Sequence, residues 1–189
     1  MMQIIELGGG GRFNFISIMG IRVKPGANAD AFLKSMADLR GASVQLLDAD
    51  LVAGKEHLVT AALLAAKSWG AGEAVAKSPS TEVLLYASGE RQIKEAIRKL
   101  GAKPNSASWC AIAVAEQRRD LEEAHQRMAE FGDEDDRLVE ISARKKNALI
   151  SAFSISTAEL SLAEGLVGTE EIALKSLVLE KTALSDLYR

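Results

Sequence analysis

Four short apolar runs, separated by stretches of helical periodicity, set the tightest limit on how this chain folds. Phe13–Val23 (FNFISIMGIRV), Ser43–Leu47, Val83–Ala87 and Trp109–Ala115 are rich in β-formers or continuously apolar, and polar, Gly or Pro residues bound them. Each reads as a strand. Between the first two, Asn28 or Asp30 caps a helix running to about Leu39, with Phe32, Met36 and Leu39 on one stripe. A second helix runs from Leu51 or Lys55 to Trp69, with Leu58, Ala62, Ala65 and Trp69 on one face and enough alanine to approach its neighbour closely. A third opens at Arg91, places Ile93, Ala96, Ile97 and Leu100 at core-facing spacing, and stops at Gly101. Strand–helix alternation of this kind predicts an α/β fold: one domain with a mixed sheet of about four to five strands flanked by helices. Residues 1–12, with the run Gly8–Gly11, are expected to form a flexible segment ahead of a single domain over 13–189. The glycine run lacks the Gly-Lys-Ser/Thr ending of a phosphate loop.

The character of the chain changes after Glu116. Glu116–Glu140 holds 10 acidic and 4 basic residues, a net of −6. Asp133–Asp136 reads as a solvated loop and Leu138–Ile141 as a further strand. Arg144, Lys145 and Lys146 open a helix toward Phe153, and Ser156 or Thr157 caps a short helix. Gly165–Gly168 breaks the chain, and Thr169 caps a last helix over Glu170–Leu187. At about 100° per residue, Ile172, Ala173, Leu177, Leu179, Ala183, Leu184 and Leu187 fall in an arc of about 160°, and Leu174 and Val178 widen it by roughly 100°. Either the chain itself nearly encloses this helix, or one side meets a partner.

At 189 residues with 48% hydrophobic and 26% charged content, the chain has the composition of a globular domain with a real core. Aromatics are only 5%, so that core is aliphatic. A net charge of −3 announces no DNA or bulk nucleic-acid binding. Cys110 has no partner for an internal disulfide and sits in an apolar run, which fits a reducing compartment, the cytoplasm, and a small buried hydrophobe. No stretch reaches the length of a membrane span, and the N-terminus lacks a signal-peptide pattern. The two histidines and one cysteine are not spaced as a metal site, no Gly-Xaa-Ser-Xaa-Gly elbow occurs, and the acidic run is not a calcium loop. The expectation is a protein that is not an enzyme and needs no cofactor.

One region has positive balance. Lys55–Lys103 holds 8 Lys/Arg against 5 acids. Within it, Val83–Ala87 as a strand feeding a helix through Ser88 and Gly89 would leave backbone N–H groups at a helix start, a setting that attracts phosphate or carboxylate. Arg91 in that first turn runs against the helix dipole. Scattered solvent-facing charge, an anion-binding turn at Ser88–Arg91 for a small metabolite, and a nucleic-acid contact all fit these residues. His57 is either a core-edge histidine or a contact residue, and Trp69 and Trp109 fall on apolar faces.

The string Glu82–Gly101 (EVLLYASGERQIKEAIRKLG) also resembles the PRPK-binding (TPRKB-like) regulatory subunits of the KEOPS complex, in their archaeal form. The resemblance rests on Glu82, Leu84, Leu85, Tyr86, Ser88, Gly89, Arg91, Gln92, Ile93, Ala96 and Ile97, supported by GKEHLVTAALLAAKSW before this segment and ALKSLVLEKTALSDL after it. It extends from about Phe13 to the C-terminus. The resemblance implies a non-catalytic subunit that binds and activates the KEOPS kinase/ATPase subunit. It further implies a grip on the single-stranded 3′ CCA end of tRNA, for threonylcarbamoyladenosine formation at position 37. Lys55, His57, Lys77, Ser88, Gly89 and Arg91 would line the RNA site. Leu174, Val178 and Lys181 on the last helix would meet the kinase.

Overall fold

The computed structural model describes residues 3–8, 13–104 and 106–187. Strand β2 (Phe15–Val23) and strand β4 (Ser108–Ala115) pair along eight residues, and β3 (Ala42–Asp48) pairs with the other side of β4. Two short strands, β1 (Ile4–Glu6) and β5 (Gly132–Glu134), share the outer edge of β2 at its opposite ends. The five strands make one sheet in the order β1-β2-β4-β3, with β5 beside β1 on β2, and every pairing is antiparallel. Ile4–Glu6 thus belongs to the sheet, where the sequence suggested a flexible segment. Residues 9–12, most of the glycine run, lie outside the described residues.

β4 is central and buried on both faces, and its period-2 alternation builds two different cores. Trp109, Ala111 and Ala113 face α1 (Ala29–Met36) and α5 (Asp120–Glu130), against Phe32, Met36, Leu121 and Met128. Cys110, Ile112 and Val114 face α2 (Lys55–Ala71), α3 (Pro79–Ser88) and α4 (Ile93–Leu100). Asn28 caps α1 through its side-chain oxygen to Ala31 N–H at 2.8 Å, as the sequence indicated. A last layer holds α6 (Ala143–Ala152), α7 (Thr157–Val167) and α8 (Glu170–Leu187), the C-terminal helical segment expected from sequence. α7 opens with a capping box between Ser156 and Glu159, and α8 lies across α2 and α3.

Further sequence expectations are corrected: Asp133 and Glu134, read as loop, belong to β5. Val83–Ala87 is helix, not strand. Ser78 caps α3 through its Oγ to Thr81 N–H (3.3 Å), Pro79 occupies the first turn, and Gly89 closes it in the left-handed region at φ 68°. The helix reads as an unbroken apolar run because α2, the sheet and α8 surround it, leaving Val83, Leu84, Leu85, Tyr86 and Ala87 all buried. Leu138–Ile141 is not a strand either. Asp136–Leu138 is a short 3-10 turn, and the carbonyls of Leu138, Val139 and Glu140 converge on the Lys145 ammonium at 2.9–3.1 Å. Successive carbonyls of a strand point to alternate sides, so they cannot share one donor.

Residue 135 crosses β2 at Gly20, with Asp135 N–H donating to the Gly20 carbonyl at 2.8 Å. A Cβ on Gly20 would lie 2.2 Å from the Asp135 oxygen. Gly20→Ala is expected to push this crossing off the sheet and cost about 2–3 kcal/mol of stability, as overpacking does. Urea denaturation against wild type measures it.

Candidate functional site

The corner where α2 begins and α3 ends gathers most of the residues singled out in the sequence, but as structure. His57, in the first turn of α2, is fully buried. Its Nδ1 accepts the Ala53 N–H at 3.2 Å, so the proton sits on Nε2, which donates to the Ala87 carbonyl at 2.8 Å. Burial pushes its pKa down to about 4. The positive charges of Lys145 and Lys99 add to this, and the bond to Ala87 opposes it. The ring meets Phe153 edge-on at 5.6 Å, and the Lys99 ammonium covers the Phe153 ring at 4.6 Å. His57 therefore ties α2 to α3 and α6 and reaches no solvent-borne ligand.

Ser88 is also fully buried. Its Oγ donates to the Leu85 carbonyl (3.0 Å) and accepts the Glu90 N–H (3.2 Å), while the Gly89 N–H is bound to Tyr86 O at 3.0 Å. Because α3 is a helix, this turn is a helix C-terminus, where the backbone dipole favours cations. It is not an anion cradle, either for a phosphate of RNA or for a small metabolite.

The cations do not form one cluster. Lys55 begins α2 and pairs with Asp136 at 3.3 Å and with Gln3 at 3.1 Å. Lys77 follows the other end of that 17-residue helix, itself about 24 Å long, and is exposed. Arg91 is exposed beside a cavity of about 460 Å³ that Glu73, Tyr86 and Asp186 also line, and it is not a bare cation. The Arg144–Lys146 cluster is consumed as well. Arg144 grips Asp50 with both terminal nitrogens, Lys146 pairs with Glu170, and Lys145 is buried with a pKa lowered to about 8 by desolvation. The outer side of α4 stays exposed, with Lys94, Ile97 and Arg98 at the surface, although Arg98 pairs with Glu95 at 2.7 Å. Cys110 is buried and its thiol is pushed up to about 12 by desolvation, which leaves it unreactive. No group of three or more His, Cys, Asp or Glu suited to hold a metal ion occurs among the described residues.

On the last helix, Leu174 and Val178 are both 0% exposed. They pack with Ala53, Leu149, Phe153 and Ile155 in a core beneath α8, so the chain itself encloses that face and neither side chain is available to a partner. Lys181 is half-buried and reaches Glu159 of α7 at 3.4 Å. The exposed apolar surface lies instead on the outer side of the α7–α8 hairpin. Leu162 is 70% exposed and Leu166, one turn on, 80%. Val167 follows at the end of α7, and Ile172 in the first turn of α8 is 50% exposed. Gly168, in the left-handed region at φ 90°, closes α7 ahead of α8. No residue of α7 is fully buried, although Leu160 and Ala163 pack inward. Sequence carried the signal: Leu160 with Ala163, and Leu162 with Leu166, are two separate apolar stripes on one short helix.

Comparison with known proteins gives the family. Residues 26–185 match the family described as kinase binding protein CGI-121. The regulatory protein Cgi121 of Methanocaldococcus jannaschii is 35% identical over 117 residues, covering 61% of this chain and 72% of that protein. The family match runs from just before α1 into the last turn of α8, taking in β3, β4, β5 and the α7–α8 hairpin, and the chain belongs to the CGI-121 family of kinase-binding regulatory proteins.

Proposed function

We propose that this protein is the non-catalytic regulatory subunit of a KEOPS-type complex. In this reading it docks on the kinase/ATPase subunit through the α7–α8 tip and raises its activity. It also recruits tRNA by the 3′ CCA end for threonylcarbamoyladenosine formation at position 37. The exposed pair Leu162 and Leu166 carries the docking part: two large aliphatic side chains stand in solvent on a helix whose other face is already packed. Burial of a leucine contributes about 1.5–3 kcal/mol, which a partner supplies and water does not. Coexpression with the kinase subunit and copurification, for wild type and for charge variants at this tip, tests it.

The RNA part rests on the resemblance and on the charge of 91–103, which holds Arg91, Lys94, Arg98, Lys99 and Lys103 against Glu95 alone. With His57 and Ser88 in the interior and the N–H of half-buried Gly89 bound to Tyr86, the contact surface is the outer side of α4 together with Arg91. An acidic protein that meets two or three phosphates binds modestly, and raising salt from 50 to 200 mM is expected to weaken it about tenfold. Trimming CCA from tRNA is expected to weaken binding far more than changing the anticodon. The double variant Arg91→Glu/Arg98→Glu should do the same, and trimming should add little to it, because both remove one contact. Filter binding with intact and trimmed tRNA measures this; equal binding of the two RNAs would overturn the recruitment role.

A further inference from the structure

β3 is the free edge of the sheet, and that edge is unusually accessible. Only one end is covered: the Leu46 carbonyl accepts the Ala102 N–H at 3.4 Å, beside a bridge between Leu47 and Gly101. Backbone groups of a strand alternate in direction, so the N–H and C=O of Val44 and Ala42 point the same way as those of Leu46, outward. No backbone partner meets them from that side among the described residues. The edge lines a groove of about 460 Å³ together with Leu33 of α1, Leu39 of the turn after it, and Ser80, Thr81 and Ile97 from α3 and α4. No charged side chain lines it. Natural sheets usually blunt such an edge with Lys, Pro or a bulge. Here Ala42–Gln45 carries none of these residues, and the cations stand on the rim instead.

Arg40 follows Leu39 of the groove lining and precedes β3 by two residues, Lys94 shares the α4 stripe of Ile97 and Gly101, and Lys77 precedes Ser78. All three are exposed, and no ion pair engages them among the described residues. We propose that the β3 edge groove binds an extended, acid-flanked segment of a partner protein as an added strand. Its backbone would pair with Val44 and Ala42. Alternate side chains would enter the apolar wall at Leu33 and Leu39, and the flanking carboxylates would meet Arg40, Lys77 and Lys94. The rim charges disfavour a second copy of this chain, which would bring like charge to like. The groove shares no residue with the α7–α8 tip, so the proposal stands apart from kinase docking; it does share Ile97, and Lys94 on its rim, with the α4 side proposed for RNA, so strand and RNA would compete there.

Selection of displayed random heptapeptides against the full chain tests it. The expected winners alternate apolar with other residues and carry Asp or Glu at their ends. Val44→Pro deletes the outward N–H while leaving the pairing with β4 intact, a replacement edge strands tolerate. It is expected to weaken the selected peptides about tenfold, with kinase copurification unchanged. Arg40→Glu/Lys94→Glu is expected to weaken them similarly and to remove their salt dependence. Should Val44→Pro fail to fold by circular dichroism, Leu33→Glu on the exposed wall takes its place, with the same loss expected. No enrichment, or selected peptides that bind these variants as they bind wild type, would overturn the proposal. So would a CCA-ended oligonucleotide that occupies the groove with dependence on Arg40 and Lys94 but not on Val44, which would make it an RNA site.

Discussion

Leu166→Asp, alone or with Leu162→Asp, is expected to reduce affinity for the kinase subunit at least about a hundredfold while leaving the protein folded. The two side chains stand 80% and 70% exposed, so in the free protein a carboxylate there meets water, and stability should shift by no more than about 0.5 kcal/mol. In the complex the same carboxylate would lie unpaired against an apolar partner surface, at a cost of about 3–5 kcal/mol. The control is Leu174→Asp. That side chain belongs to the core under α8, and an unpaired charge there is expected to unfold the chain. Calorimetric titration with the kinase, beside thermal melts of each variant, separates the two cases. Loss of folding at Leu166, or undiminished binding, would place the kinase elsewhere.

His57→Ala is expected to cost about 3–5 kcal/mol and to lower the melting temperature by about 10 °C. The substitution opens a cavity among Ala53, Ala87 and Phe153, and it strands the Ala53 N–H and the Ala87 carbonyl, both bound by the imidazole. The residue also makes stability depend on pH. Its folded pKa of about 4 lies below the unfolded value near 6.5. Between those values the unfolded chain binds the extra proton, so the contribution is complete above pH 6.5 and is lost as pH falls toward 4. From pH 7 to 4.5 this amounts to about 2 kcal/mol. Asp38 is held low by Arg127, Asp135 by Arg137 and Arg22, and Glu159 by Ser156; each also loses stability on acidification. The difference in acid sensitivity between wild type and His57→Ala isolates the histidine. Denaturant curves at the two pH values give it; an equal decline in both proteins would mean that His57 is not held neutral.

Elements whose ends carry their own chemistry were legible in the sequence. Asn28 before α1, Gly101 after α4, Ser156 before α7 and Thr169 before α8 each satisfy terminal backbone groups locally, and each boundary lies where the residues put it. β2, β3 and β4 followed from their runs of β-formers. α3 was misread because periodicity vanishes in a helix buried all round, and a run such as VLLYA then fits a strand equally well. The arbitrating residues were Ser78 and Pro79 before it and Gly89 after it. That one reassignment reversed the chemistry of the Ser88–Gly89 turn, from free donors at a helix start to spent donors at a helix end. The fate of His57 was not legible at all: its partners lie four residues before it and thirty after it, and only the packing of α3 on α2 brings Ala87 to the ring. On α8 the apolar width exceeds one stripe; α2, α3 and α6 enclose the side of Leu174 and Val178, while Ile172, Leu184 and Leu187 stay exposed. The unpaired face belongs to the hairpin tip and depends on α7, which was read only as a short capped helix.

In the proposed complex, α7 and α8 form the kinase-binding surface of the regulatory subunit. Hydrogen exchange of the full chain, free and in complex with its kinase subunit, tests it directly. The account predicts slowed exchange on binding over α7 and the first turns of α8, around Leu162, Leu166 and Ile172, with α5 and the β3 edge unchanged. Slowed exchange confined to α4 or the β3 edge, with α7 exchanging as in the free protein, would contradict it.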